Sequence, residues 1–339
     1  MINVALIGAG KMGLSHLAIL GAHPEVKVVG VCDTAKLITE ALTKYSGFNC
    51  YTDYLEMIEE VKPDAVFVAV PTKLHAPIVE KLIAKGIHIF AEKPFGLNPE
   101  EGIPLVKMAK EHNIVNMVGY HTKFVGTFQE VKKIVDLNLI GDIYHFQAEA
   151  YGPVVIKNKQ NNWRADPSEG GGCLMDYTCH VIDLLNYLIA PVTEVYSSII
   201  KPIFSSHVDD AVYALMKLDN DVTGVLSVNW SDETYRKMST SITIIGTKGK
   251  IISDASELKV YFKNEFDCPP GYSKGWNVKN VTELTEDVDF YLRGEEYSAQ
   301  IDYFIQAIMG KTENNINTFE TACQTDQIIQ MIKQKAVAL

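Results

Sequence analysis

The chain has 339 residues, of which 47% are hydrophobic and 22% charged, and this length exceeds the roughly 250–300 residues at which a single core stops growing, so two domains are expected. A formal net charge of -11 with no run of Lys or Arg would repel a phosphate backbone, which argues against nucleic acid as a partner. No stretch reaches the roughly 18–20 uninterrupted apolar residues of a membrane-spanning helix, and the composition is not that of a disordered or low-complexity chain.

The chain runs from Met1 straight into the strand-like Ile2-Asn3-Val4-Ala5-Leu6-Ile7, with no basic leader ahead of it. Its six cysteines are scattered and form no C-x-x-C pair. That usage fits reduced thiols and a cytoplasmic setting rather than a disulfide framework.

From Ile2 to Gly119, short apolar runs at Val4–Ile7, Val28–Cys32, Ala65–Val70, Ile87–Ala91 and Val115–Val118 alternate with helical patterns such as Leu74–Gly86 and Pro99–His112. Continuous apolar strands separated by helices predict a doubly wound parallel sheet. Beyond Gly119 the pattern changes. A helix over Gln129–Leu137, a strand over Ile143–Tyr151 and a helix over Asp176–Leu188 precede alternating runs at Val192–Ile200, Ala211–Lys217, Val222–Trp230, Ser239–Ile245 and Lys259–Phe262. Such alternation predicts a large, mainly antiparallel sheet with one covered face. Helices over Tyr297–Met309 and Phe319–Lys335 close the chain. The expected division is a Rossmann domain over 1–121 and an α+β domain for substrate binding and oligomerisation over 122–339.

Gly8-Ala9-Gly10-Lys11-Met12-Gly13 follows the first strand and opens the first helix. In that setting the first glycine permits the tight turn, the second lets the backbone approach a pyrophosphate, and the third allows close packing of helix on sheet. Asp33, at the end of the second strand, stands where an acidic side chain accepts hydrogen bonds from the adenosine ribose and repels a 2′-phosphate. This favours NAD, with NADP open through Lys36; Asp33 could also simply cap the following helix.

Hydride transfer from an alcohol needs a base for the hydroxyl proton and a cation or donor to steady the oxygen. Lys93, within Glu92-Lys93-Pro94 after the fifth strand, lies at the sheet edge where ligands of doubly wound folds bind. Asp176 and His180 are spaced to share one helix face, and His is the residue type that titrates where a general base must. The bland readings are a solvated turn for the first and an ion pair or core hydrogen bond for the second. Cys173, Asp176, Cys179 and His180 offer metal ligands within eight residues, but Cys179 faces roughly 100° away from His180 on a helix and no second cluster exists, so no metal is expected.

Together these elements resemble the glucose-fructose oxidoreductase and inositol dehydrogenase (Gfo/Idh/MocA) family over nearly the whole chain. The carrying residues are the Gly8–Gly13 loop, Val70-Pro71-Thr72 with His75, Ala91-Glu92-Lys93-Pro94, Gly119-Tyr120, Trp163-Arg164, and Gly170-Gly171-Gly172 followed by Asp176, His180 and Asp183. The resemblance implies that Lys93 and His180 flank the substrate, with His180 as acid/base and Asp176 assisting or binding a hydroxyl. It further implies that Val70, Pro71, Thr72 and His75 line the nicotinamide side, that Glu92 contacts the cofactor ribose region, and that Lys93-Pro94 is joined by a cis bond. Tyr120, Trp163 and Arg164 complete the expected substrate surroundings; Arg164 could hold a carboxylate or phosphate, or form a structural salt bridge. The family commonly has Asn-Arg-Arg-Phe where this chain has His121-Thr122-Lys123-Phe124.

The function so implied is NAD-dependent oxidoreduction at a carbinol or carbonyl carbon of a sugar, polyol or nucleotide-linked sugar. Two alternatives stay open. One is an enzyme that retains and recycles its NAD, giving glycoside cleavage, epimerisation or sugar–sugar oxidoreduction; the other is a non-catalytic dinucleotide-binding regulator. A homodimer or homotetramer is expected through the uncovered sheet face.

Overall fold

The computed structural model describes residues 1–154, 163–265, 268–288, 291 and 294–337. Two compact units emerge: Met1–His121 with Asp287–Gln324, and Thr122–Glu286 with Thr325–Leu339. The first unit therefore takes in 287–324, which a single cut after residue 121 assigns to the second domain.

In the first unit, β1 (Ile2–Ile7), β2 (Val26–Cys32), β3 (Cys50–Tyr51), β4 (Ala65–Val68), β5 (His88–Ala91) and β6 (Asn116–Val118) form one sheet in the order β3-β2-β1-β4-β5-β6. All its pairings are parallel. Helices α1 (Lys11–Ala22), α2 (Lys36–Ser46), α3 (Tyr54–Val61), α4 (His75–Ile83) and α5 (Pro99–Glu111) make the crossovers. Local chemistry sets their ends. Asp53 caps α3 by accepting from Leu55 N at 2.7 Å, and Asn98 caps α5 by accepting from Glu101 N at 3.2 Å, with Pro99 opening the helix. Strand order reverses between β1 and β4, which creates the switch point where doubly wound sheets bind ligands.

The returning segment completes this unit. Phe304, on α9 (Glu295–Ile308), sets its ring edge-on to Phe67 and Phe90, at 5.6 and 5.8 Å between centroids, and these two stack on each other at 4.6 Å. Asn317 takes a left-handed backbone (φ 58°), its carbonyl accepts from Val118 N at 2.7 Å, and its Nδ2 donates to Tyr120 O at 2.6 Å. Phe319 then stacks on Phe95 at 4.5 Å.

In the second unit, eight strands lie in the order β14-β13-β12-β11-β7-β10-β9-β8. They are β7 (Ile143–Tyr151), β8 (Val192–Lys201), β9 (Ala211–Leu218), β10 (Thr223–Asn229), β11 (Ser239–Gly246), β12 (Gly249–Asp254), β13 (Glu257–Phe262) and β14 (Gly275–Asn280). Among the described strands of this sheet, only β7 and β10 pair in parallel. Alternation sorts the faces: Phe146, Ala148, Leu226, Ile242, Ile244, Ile251 and Val260 are buried, and α6 (Gly126–Asp136) and α7 (Cys179–Leu188) pack on this sheet. The opposite face carries a row from Leu215 and Val225 through Gln147, Thr243, Ile252 and Lys259 to Val278. Two strands, β12 and β14, and the short α8 (Val281–Leu284) lie outside the runs singled out by alternation. The last helix, α10 (Phe319–Gln334), begins in the first unit and ends in the second. Its C-terminal turn is held to β8, where Ser198 Oγ donates to Ile332 O at 2.6 Å.

Truncating Phe304 to Ala should cost about 3–5 kcal/mol, the range for deleting a buried aromatic ring. Denaturant unfolding measures it, and a loss below roughly 1 kcal/mol would show that α9 is dispensable to the first unit's core.

Candidate functional site

The turn from β1 into α1 sits at the switch point. Gly8 has φ +94°, and a Cβ there would lie 2.4 Å from Ala69 O; one on Gly13 would lie 1.9 Å from Gly8 O. Both positions are closed to any side chain. At Gly10, by contrast, a Cβ would meet nothing within 4 Å, so the loop opens outward just where α1 begins. The first-turn amides of α1 have no intrahelical acceptors, and no acidic residue occupies that turn. This combination suits a diphosphate.

Asp33 is tied into the same loop. Its Oδ2 accepts from Ala9 N at 2.7 Å and its Oδ1 from Ala35 N at 2.8 Å, and each oxygen keeps a further lone pair for a ribose hydroxyl. Lys11 and Met12 follow Gly10 in the first turn of α1.

At the ends of β4 and β5 the backbone continues the ladder, with Ala69 N donating to Ile7 O at 2.8 Å, Glu92 N to Val68 O at 2.9 Å and Gly119 N to Ala91 O at 2.8 Å. Val70, Pro71 and Thr72 follow β4, and Thr72 is buried. His75 lies between two loops: its Nε2 is 2.9 Å from Val70 O and its Nδ1 is 3.0 Å from Pro94 O. Both ring nitrogens thus face backbone carbonyls, a neutral imidazole donating to one of them, and the residue is 1% exposed between the two loops. Burial pushes its imidazole below the ordinary value, against the pull of the Val70 carbonyl, the Glu92 charge and the Pro94 carbonyl.

Glu92 is engaged within the chain as well. His16 Nε2, on α1, donates to its Oε1 at 2.6 Å, and Lys93 N donates to its Oε2 at 3.3 Å. Burial raises the Glu92 carboxyl, but the His16 hydrogen bond and the charges of His16 and Lys93 outweigh it and hold the group below the usual carboxylate range. Gly119 leaves room for this carboxylate, since a Cβ there would stand 3.2 Å from Oε1. Lys93 itself is half-buried, the Lys93–Pro94 bond is cis, and the Tyr120 side chain is fully buried.

In the second unit, the segment after Gly172 does not start as a regular α-helix. Leu174–Thr178 is a π turn that leads into α7. π turns bond i to i+5, and turns of this kind recur at functional sites. Asp176 Oδ2 accepts from Arg164 Nε at 2.8 Å, and the Arg164 guanidinium lies 4.4 Å over the Trp163 ring. Arg164 and Asp176 thus form an ion pair. Asp176 and His180 are each 3% exposed.

Lys123, at the position where the family commonly has Arg, donates from Nζ to Asp183 Oδ1 at 2.8 Å, both side chains being buried. Burial raises the Asp183 carboxyl against the Lys123 charge. The pair ties the start of the second unit to α7, one turn beyond His180. A lysine reaches one oxygen, and Asp183 Oδ2 has no hydrogen-bond partner among the described residues. Sequence reasoning missed His16, and it missed Asp209, whose Oδ2 accepts from Leu174 N at the start of the π turn at 2.6 Å; the signal for Asp209 was a pair of aspartates ahead of an otherwise apolar strand. Among the described residues no group of three or more His, Cys, Asp or Glu could hold a metal ion, and no helix is long and apolar enough to cross a membrane.

Comparison with known proteins bears on the family and the fold. Residues 2–120 match the model for the oxidoreductase family with an NAD-binding Rossmann fold (GFO/IDH/MocA), and residues 128–252 match a GFO/IDH/MocA C-terminal domain. The chain is 27% identical over 259 residues to the scyllo-inositol 2-dehydrogenase (NAD(+)) of Bacillus subtilis, covering 74% of this chain and 73% of that one. It is also 27% identical over 311 residues to the levoglucosan dehydrogenase of Pseudarthrobacter phenanthrenivorans, covering 78% and 77%. A levoglucosan dehydrogenase structure in complex with NADH and levoglucosan superposes with a TM-score of 0.87 at 23% identity, covering 99% of this chain and 96% of that one, a likeness of fold.

Asp33→Asn keeps an acceptor for Ala9 N but removes the charge. The expected result, read by titrating both cofactors, is a shift of the NADP-to-NAD affinity ratio toward NADP on the order of tenfold, as for a lost charge-assisted hydrogen bond of roughly 1.5 kcal/mol. An unchanged ratio would assign Asp33 to the loop alone.

Proposed function

The chain belongs to the Gfo/Idh/MocA family of oxidoreductases with an NAD-binding Rossmann fold, and on that premise we propose that it oxidises a carbinol, or reduces the matching carbonyl, of a sugar, polyol or nucleotide-linked sugar. The observation that carries this reading is the loop at the switch point: closed to side chains at Gly8 and Gly13, open at Gly10, and gripped by the carboxylate of Asp33. When bound, NAD supplies the acceptor or donor of hydride. The chain's own residues do the rest.

Gly8, Gly10, Lys11, Met12, Gly13 and Asp33 hold the dinucleotide, and Val70, Pro71 and Thr72 line it, with His75 and Glu92 holding the surrounding loops. Lys93 steadies the substrate oxygen as charge develops on it, and His180 takes the hydroxyl proton in oxidation and returns it in reduction. Asp176, with Arg164 and Trp163 beside it, binds a neighbouring hydroxyl. Support for the substrate class comes from the relatives, which are named for inositol and levoglucosan.

The test is the near-ultraviolet absorbance of reduced nicotinamide, followed on protein stripped of cofactor with NAD and then NADP across polyols, sugars and nucleotide sugars. A rise with one substrate group is expected. Failure to rise, with NAD recovered from untreated protein, would replace this reading by one in which the cofactor is retained and recycled. Lys93→Ala and His180→Ala should each cost at least about a hundredfold in turnover while NAD affinity changes little; near-normal turnover in either variant would remove that residue from the chemistry.

The outward face of the second unit's sheet exposes Leu215 and Val225 side by side and, at the far edge, Trp276 and Val278. We propose that a second copy of the chain covers it. Light scattering at micromolar concentration should return a dimer or tetramer, and monomer alone would remove the claim.

A further inference from the structure

We propose that Asp209 is a positioning residue of the second unit, anchoring the π turn that carries Asp176 and leads to His180. The inference rests on the proton-carrying role given to His180 above.

Asp209 stands just before β9, bonds to two consecutive residues and packs against the one before them. Its Oδ2 accepts from Leu174 N, the first residue of the π turn, at 2.6 Å. Its backbone carbonyl accepts from Cys173 N at 2.9 Å. Its Oδ1 occupies the space beside Gly172, where a Cβ would come within 2.4 Å; Gly172 also holds φ +106°, so no other residue type fits there without strain. Gly172 O in turn accepts from Asp176 N at 2.9 Å. The hold on the turn thus runs from Asp209 to Asp176 through one peptide unit.

The carboxylate is kept there against its own solvation. Burial, opposed by the Leu174 amide and the Lys333 charge on α10 and reinforced by neighbouring Asp210, pushes the Asp209 carboxyl up to about 6. Cys173 also faces it, its thiol raised by burial and by the charges of Asp209 and Asp176. A carboxyl whose folded value is raised contributes stability only while protonated: that contribution is complete below the unfolded value and is lost as pH rises through about 6. At neutral pH the ionised group therefore weakens the fold. Its presence there is explained by what it holds, a charge-assisted acceptor at the start of a wide helical turn.

The experiment follows the imidazole signals of protein labelled at histidine by NMR, with His180 assigned through His180→Gln. Asp209→Ala is expected to move the His180 signal and its titration midpoint while the remaining histidines and the affinity for NADH stay within about twofold of the parent. Asp209→Asn, which keeps the acceptor for Leu174 N, should restore most of the His180 signal and raise the melting temperature above pH 6, where the parent carries the ionised carboxylate. An unmoved His180 signal in Asp209→Ala overturns the proposal. So does a displacement shared by all histidines, which would mark a general structural role. Neither readout needs a substrate, so a panel without turnover leaves the anchoring claim decidable, while full turnover by His180→Ala would strike the role of His180 alone.

Discussion

The backbone of the first unit has to pass through a space too small for any side chain, and much of its site follows from that. Where β1 ends, Gly8 passes within touching distance of the Ala69 carbonyl, and Gly13 packs over Gly8 itself. This close approach brings the start of α1 down onto the ends of β1 and β4. It also sets Ala9 within reach of Asp33, so that β2 is tied to the same turn. Any larger residue at either glycine would lift α1 off the sheet, and with it the first-turn amides that suit a diphosphate.

Two buried side chains then carry that order across the sheet edge toward Lys93. His16, on α1, holds the Glu92 carboxylate, and His75 bridges the carbonyls of Val70 and Pro94. Lys93 stands between these two fixed neighbours, and its main chain is held on both sides. The second unit solves the same problem with charge: Asp209 holds the entry to the π turn, Arg164 holds Asp176, and Lys123 holds Asp183 farther along α7. Functional groups on helices and strand ends are more sharply placed than groups on loops, provided their supporting partners are locked.

Much of this was legible in the sequence, for physical reasons. The parallel sheet shows because strands buried on both faces are apolar throughout, and the second sheet because strands covered on one face alternate. The glycine loop with Asp33 shows because backbone approach leaves a composition signature. What stayed hidden depended on partners distant in the chain. Nothing near Glu92 announces that His16 will take its carboxylate, and nothing near Gly172 announces Asp209. The π turn was hidden too, because a one-residue widening of a helix leaves the apolar spacing around it almost unchanged. The expected end of the first domain also missed the return of Asp287–Gln324, because α9 has the amphipathic pattern of any surface helix and its destination is set by the ring of Phe304.

That return has a consequence for synthesis. The Phe67–Phe90 pair is made early, yet the ring that covers it belongs to residue 304 and emerges only after every strand of the second sheet has been made. The second unit waits as well, since Ser198 on β8 is bonded to Ile332, 134 residues further along, and to Val337. Neither core is finished when its first strands leave the ribosome, since each needs α9 or α10. The nascent chain therefore carries the uncovered Phe67–Phe90 pair while the second sheet is being made, the interval in which chaperone capture or aggregation would compete with folding.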